Sequence, residues 1–256
     1  MNDELKRRIR SREPLLGTFL NLGSAMAAEA CALAGFDFVV IDLEHGSGDE
    51  SVLAAQVLAV EAHRVPPIVR VESVERIRSG RALDLGAAGA MFPRLRTAEE
   101  AAGAIRHLKY PPEGDRGVAT YNRACGFGLH PENLDSANDD VVGVVQIETV
   151  AAVENVEAIS RVDGVDCLFV GPRDLSHALG VPGKLDAPAY QAAIDAVAAA
   201  ATSAGIAAGI LVPDVDEARR HLERGFAFIA IGSDSTFVAR ASQDTVSSFS
   251  SLVAAR

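Results

Sequence analysis

Short apolar runs alternate with longer, Ala-rich stretches along the whole chain. The runs are Leu16–Leu20, Phe38–Ile41, Ile68–Val71, Ala90–Phe92, Val142–Ile147, Cys167–Val170, Ala208–Val212 and Phe228–Ile231. Several are rich in β-branched residues, and many are apolar at consecutive positions, as in parallel strands covered on both faces. Between them lie helix-like stretches at Met26–Ala34, Val52–Ala62, Ala98–Leu108, Ala151–Ser160, Ala189–Ala204 and Val215–Glu223. Gly35, Gly205 and Gly225 stand just past three of these, where a left-handed C-cap belongs. Eight such units predict the α/β class and a (β/α)8, or TIM, barrel. A doubly wound open sheet is the alternative, but no GxGxxG follows the first strand and no P-loop occurs.

One connection breaks the rhythm. The stretch from Tyr110 to Asp140 holds Pro111, Pro112, Gly114, Gly117, Gly126, Gly128 and Pro131 before the next strand. A loop this long is usually functional, such as a lid or an interface arm. No linker, repeat or low-complexity tract divides the chain, so residues 1–256 are expected to form one barrel domain with a long loop at about 110–140.

Composition narrows the function. The chain has 256 residues, 48% of them hydrophobic, and a formal net charge of −11. The apolar content fills a core, and the acidity excludes nucleic acid or an anionic membrane as the main partner. An anionic substrate would then need a local cation. Cys31, Cys125 and Cys167 form no CxxC pair, which leaves no structural zinc site or disulfide framework. The charged start leads into no apolar run of signal-peptide length, and no membrane span is expected; a cytoplasmic protein is. Lys6, Arg7, Arg8, Arg10 and Arg12 read as the solvated face of a first helix.

In such a barrel the chemistry gathers at the C-terminal strand ends. Those ends carry Asp42, Glu44 and His45 on strand two, Arg70 on strand three, Gln146 and Glu148 on strand five, and Gly171, Pro172, Arg173 and Asp174 on strand six. Glu148 and Asp174 would end neighbouring strands, where two carboxylates repel unless one is protonated or a cation lies between them. Oxygen ligands favour a hard divalent ion such as Mg²⁺ or Mn²⁺; the alternative is a pair of N-cap or surface carboxylates. Gln146 shares a strand face with Glu148. His45 follows two acids that could orient its ring and raise its basicity, whereas His63, His107, His130, His177 and His221 read as packed or surface residues. Arg70 suits an anion or oxyanion, or else a rim salt bridge. A cation there can chelate a 2-oxo acid, a base can move a proton beside its carbonyl, and backbone amides at 171–174 can hold its carboxylate. These parts fit carbon–carbon bond making or breaking and fit hydride transfer poorly.

Several stretches together resemble the metal-dependent class II pyruvate aldolases of the HpcH/HpaI type. They are Gly35–Gly46 (GFDFVVIDLEHG), Val69-Arg70-Val71, Leu83–Gly89, Tyr110–Gly117 (YPPEGDRG), Gln146–Thr149 (QIET), Val165-Asp166 and Phe169–Ser176 (FVGPRDLS). The resemblance runs from about Gly17 to Asp234. It implies a barrel of the phosphoenolpyruvate/pyruvate-binding type and reversible cleavage of a 4-hydroxy-2-oxo acid to pyruvate and an aldehyde. By it His45 is the proton acceptor tuned by Asp42 and Asp84, and Arg70 stabilises the transition state. Glu148 and Asp174 hold a divalent metal ion (Mg²⁺, Mn²⁺ or Co²⁺), and Gln146 with the backbone of Gly171, Pro172, Arg173 and Asp174 contacts pyruvate. It also implies a homohexamer, a trimer of dimers, whose last helix packs on a neighbouring subunit; Val246, Phe249, Leu252 and Val253 have the apolar spacing for that. Arg173 stands where relatives are commonly small, and Leu43 where Gly is common. A decarboxylase, a citryl-CoA-lyase-like enzyme and a barrel that only binds a 2-oxo acid remain as other readings; no basic patch for a coenzyme A tail is evident.

Overall fold

In the computed structural model, which describes residues 2–254, eight parallel strands close into a barrel in sequence order. They are β1 (Leu15–Leu20), β2 (Phe38–Asp42), β3 (Pro67–Arg70), β4 (Gly89–Phe92), β5 (Val142–Ile147), β6 (Cys167–Val170), β7 (Ala207–Val212) and β8 (Phe228–Ser233). Each apolar run of the sequence is one of these strands. The helices are α1 (Asn2–Arg10), α2 (Ala25–Leu33), α3 (Glu50–Glu61), α4 (Arg76–Asp84), α5 (Ala98–Arg106), α6 (Asn133–Asp140), α7 (Val150–Glu154), α8 (Val156–Ser160), α9 (Pro172–Ala178), α10 (Pro188–Ala204), α11 (Val215–Glu223) and α12 (Asp234–Ala254). The alternating pleat sorts each strand into two faces. Val39, Ile41, Val69, Ala90, Val145, Leu168 and Ile210 pack outward under the helices. Phe38, Val40, Ile68, Met91, Val144, Phe169 and Phe228 fill the barrel interior. Phe38 and Phe228 stack with centroids 3.8 Å apart, and a Cβ at Gly17 would meet the Phe38 ring at 2.3 Å, so only glycine lets that pair fill the floor.

Three sequence expectations change. The single helix expected over Ala151–Ser160 is two, α7 and α8, broken at Asn155, whose side-chain amide bonds the carbonyls of Arg96 and Ala151. Helix α4 escaped the pattern because it is mostly polar, with Gly80 mid-way and only Ser79, Ala82 and Leu83 buried. The basic run in α1 is not simply a solvated face. Leu5 and Ile9 plug the barrel floor, and Lys6, 4% exposed, donates to the Val141 carbonyl at 2.6 Å beside Asp166 at 3.6 Å. Arg10 holds the same Asp166 at 3.0 Å, and Arg8 holds Asp37 at 3.0 Å.

The long loop lies between the end of α5 and the start of β5, on the N-terminal side of the barrel, so it forms no lid over this chain's own mouth. It contains a short 3-10 segment (Arg123–Gly128) and α6, and it is tied down by paired hydrogen bonds between Tyr110 and Asn138. Val118, Tyr121, Phe127 and Leu129 stay exposed along it. Among the described residues no helix is long and apolar enough to cross a membrane.

Candidate active site

The same pleat that turns Phe38 and Val40 inward turns Asp42 inward at the end of β2, and Ile68 is followed two residues on by Arg70. Asp42 and Arg70 are register partners across β2 and β3. Their side chains form a buried fork: Arg70 Nε donates to Asp42 Oδ1 at 2.9 Å and Nη2 to Oδ2 at 2.7 Å. Nη1 lies 3.2 Å from Glu44 Oε2, and the guanidinium carbon sits 5.1 Å from the Phe19 ring centroid. Burial works against the guanidinium's charge, but the Asp42 hydrogen bonds and the charges of Asp42 and Glu44 outweigh it and raise its pKa. Arg70 is therefore the ion-paired residue its sequence position allowed, held as a fixed cation at the mouth.

Asp42 does not touch the His45 ring. Its Oδ1 accepts the backbone N–H groups of Glu44 and His45 at 3.1 and 3.2 Å, an Asx-type turn that shapes the loop after β2. Gly46 is required there, because a Cβ would meet the Asp42 carbonyl at 2.0 Å. The carboxylate that approaches the ring is Glu44, with Oε2 3.9 Å from His45 Nε2. The imidazole side chain is 64% exposed, open to whatever enters the mouth.

Gln146 and Glu148 point inward from β5, as their spacing implied, and both are buried. Gln146 Nε2 donates to Glu148 Oε2, and the Arg94 backbone N–H donates to Oε1 at 2.8 Å. Burial, with the charges of Asp174 and Glu44, pushes the Glu148 carboxyl up to about 7 against the pull of Arg94 and Arg70. A Cβ on Gly171 would meet Glu148 Oε2 at 2.5 Å and Gln146 Nε2 at 2.7 Å, so the turn after β6 must be bare to admit the pair. Asp174 sits in the first turn of α9, exposed and close enough to act on Glu148 electrostatically. Of the four residues expected to offer amides, two cannot: the Gly171 N–H already bonds the Ile147 carbonyl at 3.3 Å, and Pro172 has no N–H. Arg173 and Asp174 keep free first-turn amides.

Asp84 is not brought to this site within the chain. Helix α4 carries it from the mouth toward the opposite rim, where Arg116 Nη2 donates to it at 2.8 Å. Arg94 is the participant missed in the sequence: it acts through its backbone, at φ 59, and no side-chain pattern signals that. Glu44, one of the two acids the sequence set before His45, is the one that approaches the ring.

The carboxylates suit a hard cation. Glu148 is buried and short of positive charge, the Gln146 Oε1 beside it has no hydrogen-bond partner, and every donor is oxygen. Among the described residues no three His, Cys, Asp or Glu side chains close into a metal cage. A cation here would keep open positions for water and substrate.

The HpcH/HpaI aldolase/citrate lyase family model matches residues 15–241, nearly the whole barrel. The chain belongs to this family. Its HpcH/HpaI relatives include a hydroxypyruvate/pyruvate aldolase of Paraburkholderia phytofirmans, 42% identical over 248 residues, which span 94% of this chain and 95% of that one. A 5-keto-4-deoxy-D-glucarate aldolase of Salmonella paratyphi A is 40% identical over 232 residues, 91% of each. A solved HpcH/HpaI aldolase/citrate lyase family protein of Burkholderia cenocepacia superposes with TM-score 0.93 at 41% identity, covering 96% of this chain and 99% of its own. Membership in the HpcH/HpaI family bears out the barrel and makes the chain a carbon–carbon lyase of the aldolase kind.

Proposed function

We propose that the chain cleaves a 4-hydroxy-2-oxo acid reversibly into pyruvate and an aldehyde, with Glu148 and Asp174 holding a divalent cation. The observation that carries this reading is the buried, charge-starved Glu148 with Asp174 beside it, facing a fixed guanidinium across the barrel mouth. When bound, Mg²⁺, Mn²⁺ or Co²⁺ supplies Lewis-acid polarisation of the 2-oxo group. The substrate carboxylate lies against the amides of Arg173 and Asp174, with Gln146 fixing its orientation. His45 accepts the 4-hydroxyl proton; the C3–C4 bond breaks, its electron pair passes to the C2 oxygen, and the aldehyde leaves. The N–H groups of Arg70 that Asp42 does not use face the developing oxyanion. A proton from water at C3 gives pyruvate, His45 releases to water the proton it took, and every step runs backward for synthesis. The aldehyde's identity is set outside this core, where Arg173 and Leu43 depart from the usual residues.

The acting form is a homo-oligomer, a hexamer built as a trimer of dimers in the cytoplasm, with α12 exchanged between subunits. Support comes from Val238, Val246, Phe249, Leu252 and Val253, which are all exposed on one long helix. Light scattering that finds a monomer at working concentration overturns the assembly. The activity is tested by pyruvate release, coupled to lactate dehydrogenase, from a panel of 4-hydroxy-2-oxo acids. Turnover should vanish with chelator and return with Mg²⁺, Mn²⁺ or Co²⁺. Pyruvate from no substrate rejects the aldolase reading, and full activity in chelator rejects the cation.

A further inference from the structure

The loop after β2 places one carboxylate oxygen between the two groups on which the proposed reaction depends. Both oxygens of Asp42 are committed to Arg70, and Oδ1 also holds the backbone of Glu44 and His45. Glu44 has no such commitment. Its Oε2 stands 3.2 Å from Arg70 Nη1 and 3.9 Å from His45 Nε2, on a side chain only 15% exposed. We infer that Glu44 is a positioning residue shared by the base and the oxyanion site. It holds the free edge of Arg70 toward the mouth and stabilises the imidazolium that forms when His45 takes a proton. The inference rests on the aldolase reading for its catalytic consequence, though not for its electrostatics.

At 3.9 Å the pair is no hydrogen bond while the ring is neutral. Proton transfer to Nε2 creates a cation, and the attraction then pulls the two together. No proton or electron is supplied from elsewhere; the proton is the substrate's own. The other charged groups facing this carboxylate are Arg70, Asp42 and Asp174, while Glu148 lies beyond across the mouth. Burial holds the Glu44 carboxyl above its ordinary range, opposed first by Arg70 and then by His45.

The test uses Glu44→Gln and Glu44→Asp in the full chain, with two readouts. In the first, the NMR signals of the His45 ring and the Arg70 side chain are compared at one pH in metal-free protein. Glu44→Gln should displace both sets of signals, because one carboxylate oxygen faces both groups. In the second, kcat and KM are measured for pyruvate release. Glu44→Gln should cut kcat about tenfold or more with KM nearly unchanged. Glu44→Asp keeps the charge one methylene further back and should fall between the two in both readouts; it also serves if the first variant does not fold. Unmoved His45 and Arg70 signals, or a wild-type kcat, overturn the inference. If the wild-type chain releases no pyruvate at all, the aldolase reading fails, and the NMR comparison still decides the role of Glu44.

Discussion

Replacing Glu148 with glutamine trades activity for stability, by an amount the structure sets. Its carboxyl, ordinarily near 4.5, is pushed to about 7, chiefly by burial. The folded chain therefore binds this proton more tightly than the unfolded chain does. Stability from this group is lost as the pH rises from about 4.5 through 7, and the cost above that range is about 3 kcal/mol. Glu148→Gln removes the cost because the amide never ionises. The new side chain also has partners: its oxygen can keep the Arg94 N–H, and its NH₂ can meet Gln146. Gln146 now donates to Glu148 and leaves its own Oε1 buried without a partner, so a turn of that amide pairs the two. Thermal unfolding in chelator at pH 8 should show the variant stabler by up to about 3 kcal/mol, or several degrees for a chain of this size. At pH 5 the difference should nearly vanish. Added Mg²⁺ or Mn²⁺ should raise the wild-type Tm and leave the variant unmoved, while pyruvate release is abolished. A variant no stabler than wild type at pH 8, or stabler by the same amount at both pH values, refutes the unpaired buried charge.

Three further outcomes follow from the same geometry. Gly171→Ala keeps its backbone unstrained at φ −92, but its methyl drives into the Glu148–Gln146 pair. It should lower kcat about a hundredfold, because displacements near 1 Å are that costly, with a loss of only about 1–3 kcal/mol in denaturant titration; near-full activity rejects the close approach. Arg70→Lys exchanges the two-point fork for a single point charge and should cut kcat by roughly 10²–10³ with the Tm lowered, since Asp42 stays buried and half-satisfied. Steady-state kinetics that find only a KM change reject Arg70's place in the transition state. Lys6→Met breaks a buried pair on the barrel floor and should destabilise by up to about 3–5 kcal/mol, softened by Arg10, with the rate per folded enzyme unchanged. A solvated lysine would give no measurable change in chemical denaturation.

Much of this was legible in the sequence because parallel barrel strands are apolar on both faces and announce themselves as unbroken runs. Strand parity then places Asp42, Arg70, Gln146 and Glu148 in the mouth, and reading strand ends finds them. Helices were less legible where they were polar, as in α4, or kinked by one side chain, as at Asn155. Asp84 shows where strand ends alone do not reach: the resemblance assigned it to His45, and within one chain a helix of nine residues carries it from the mouth to Arg116.

By itself, the chain's order of residues determined the barrel and the rim at which Asp42, Arg70, Gln146 and Glu148 gather. Those follow from local periodicity and from alternation along a strand. Only the tertiary structure decided which acid lies beside which cation or ring. Asp42 and Glu44 both precede His45 and look equivalent in sequence. Pairing β2 with β3 spends Asp42 on Arg70, because their Cα atoms are register partners, and leaves Glu44 as the carboxylate nearest the imidazole. The same holds for Lys6, whose burial depends on where α1 crosses the barrel floor. A charge's partner is a fact of distance, and distance between remote segments is fixed only when the barrel closes.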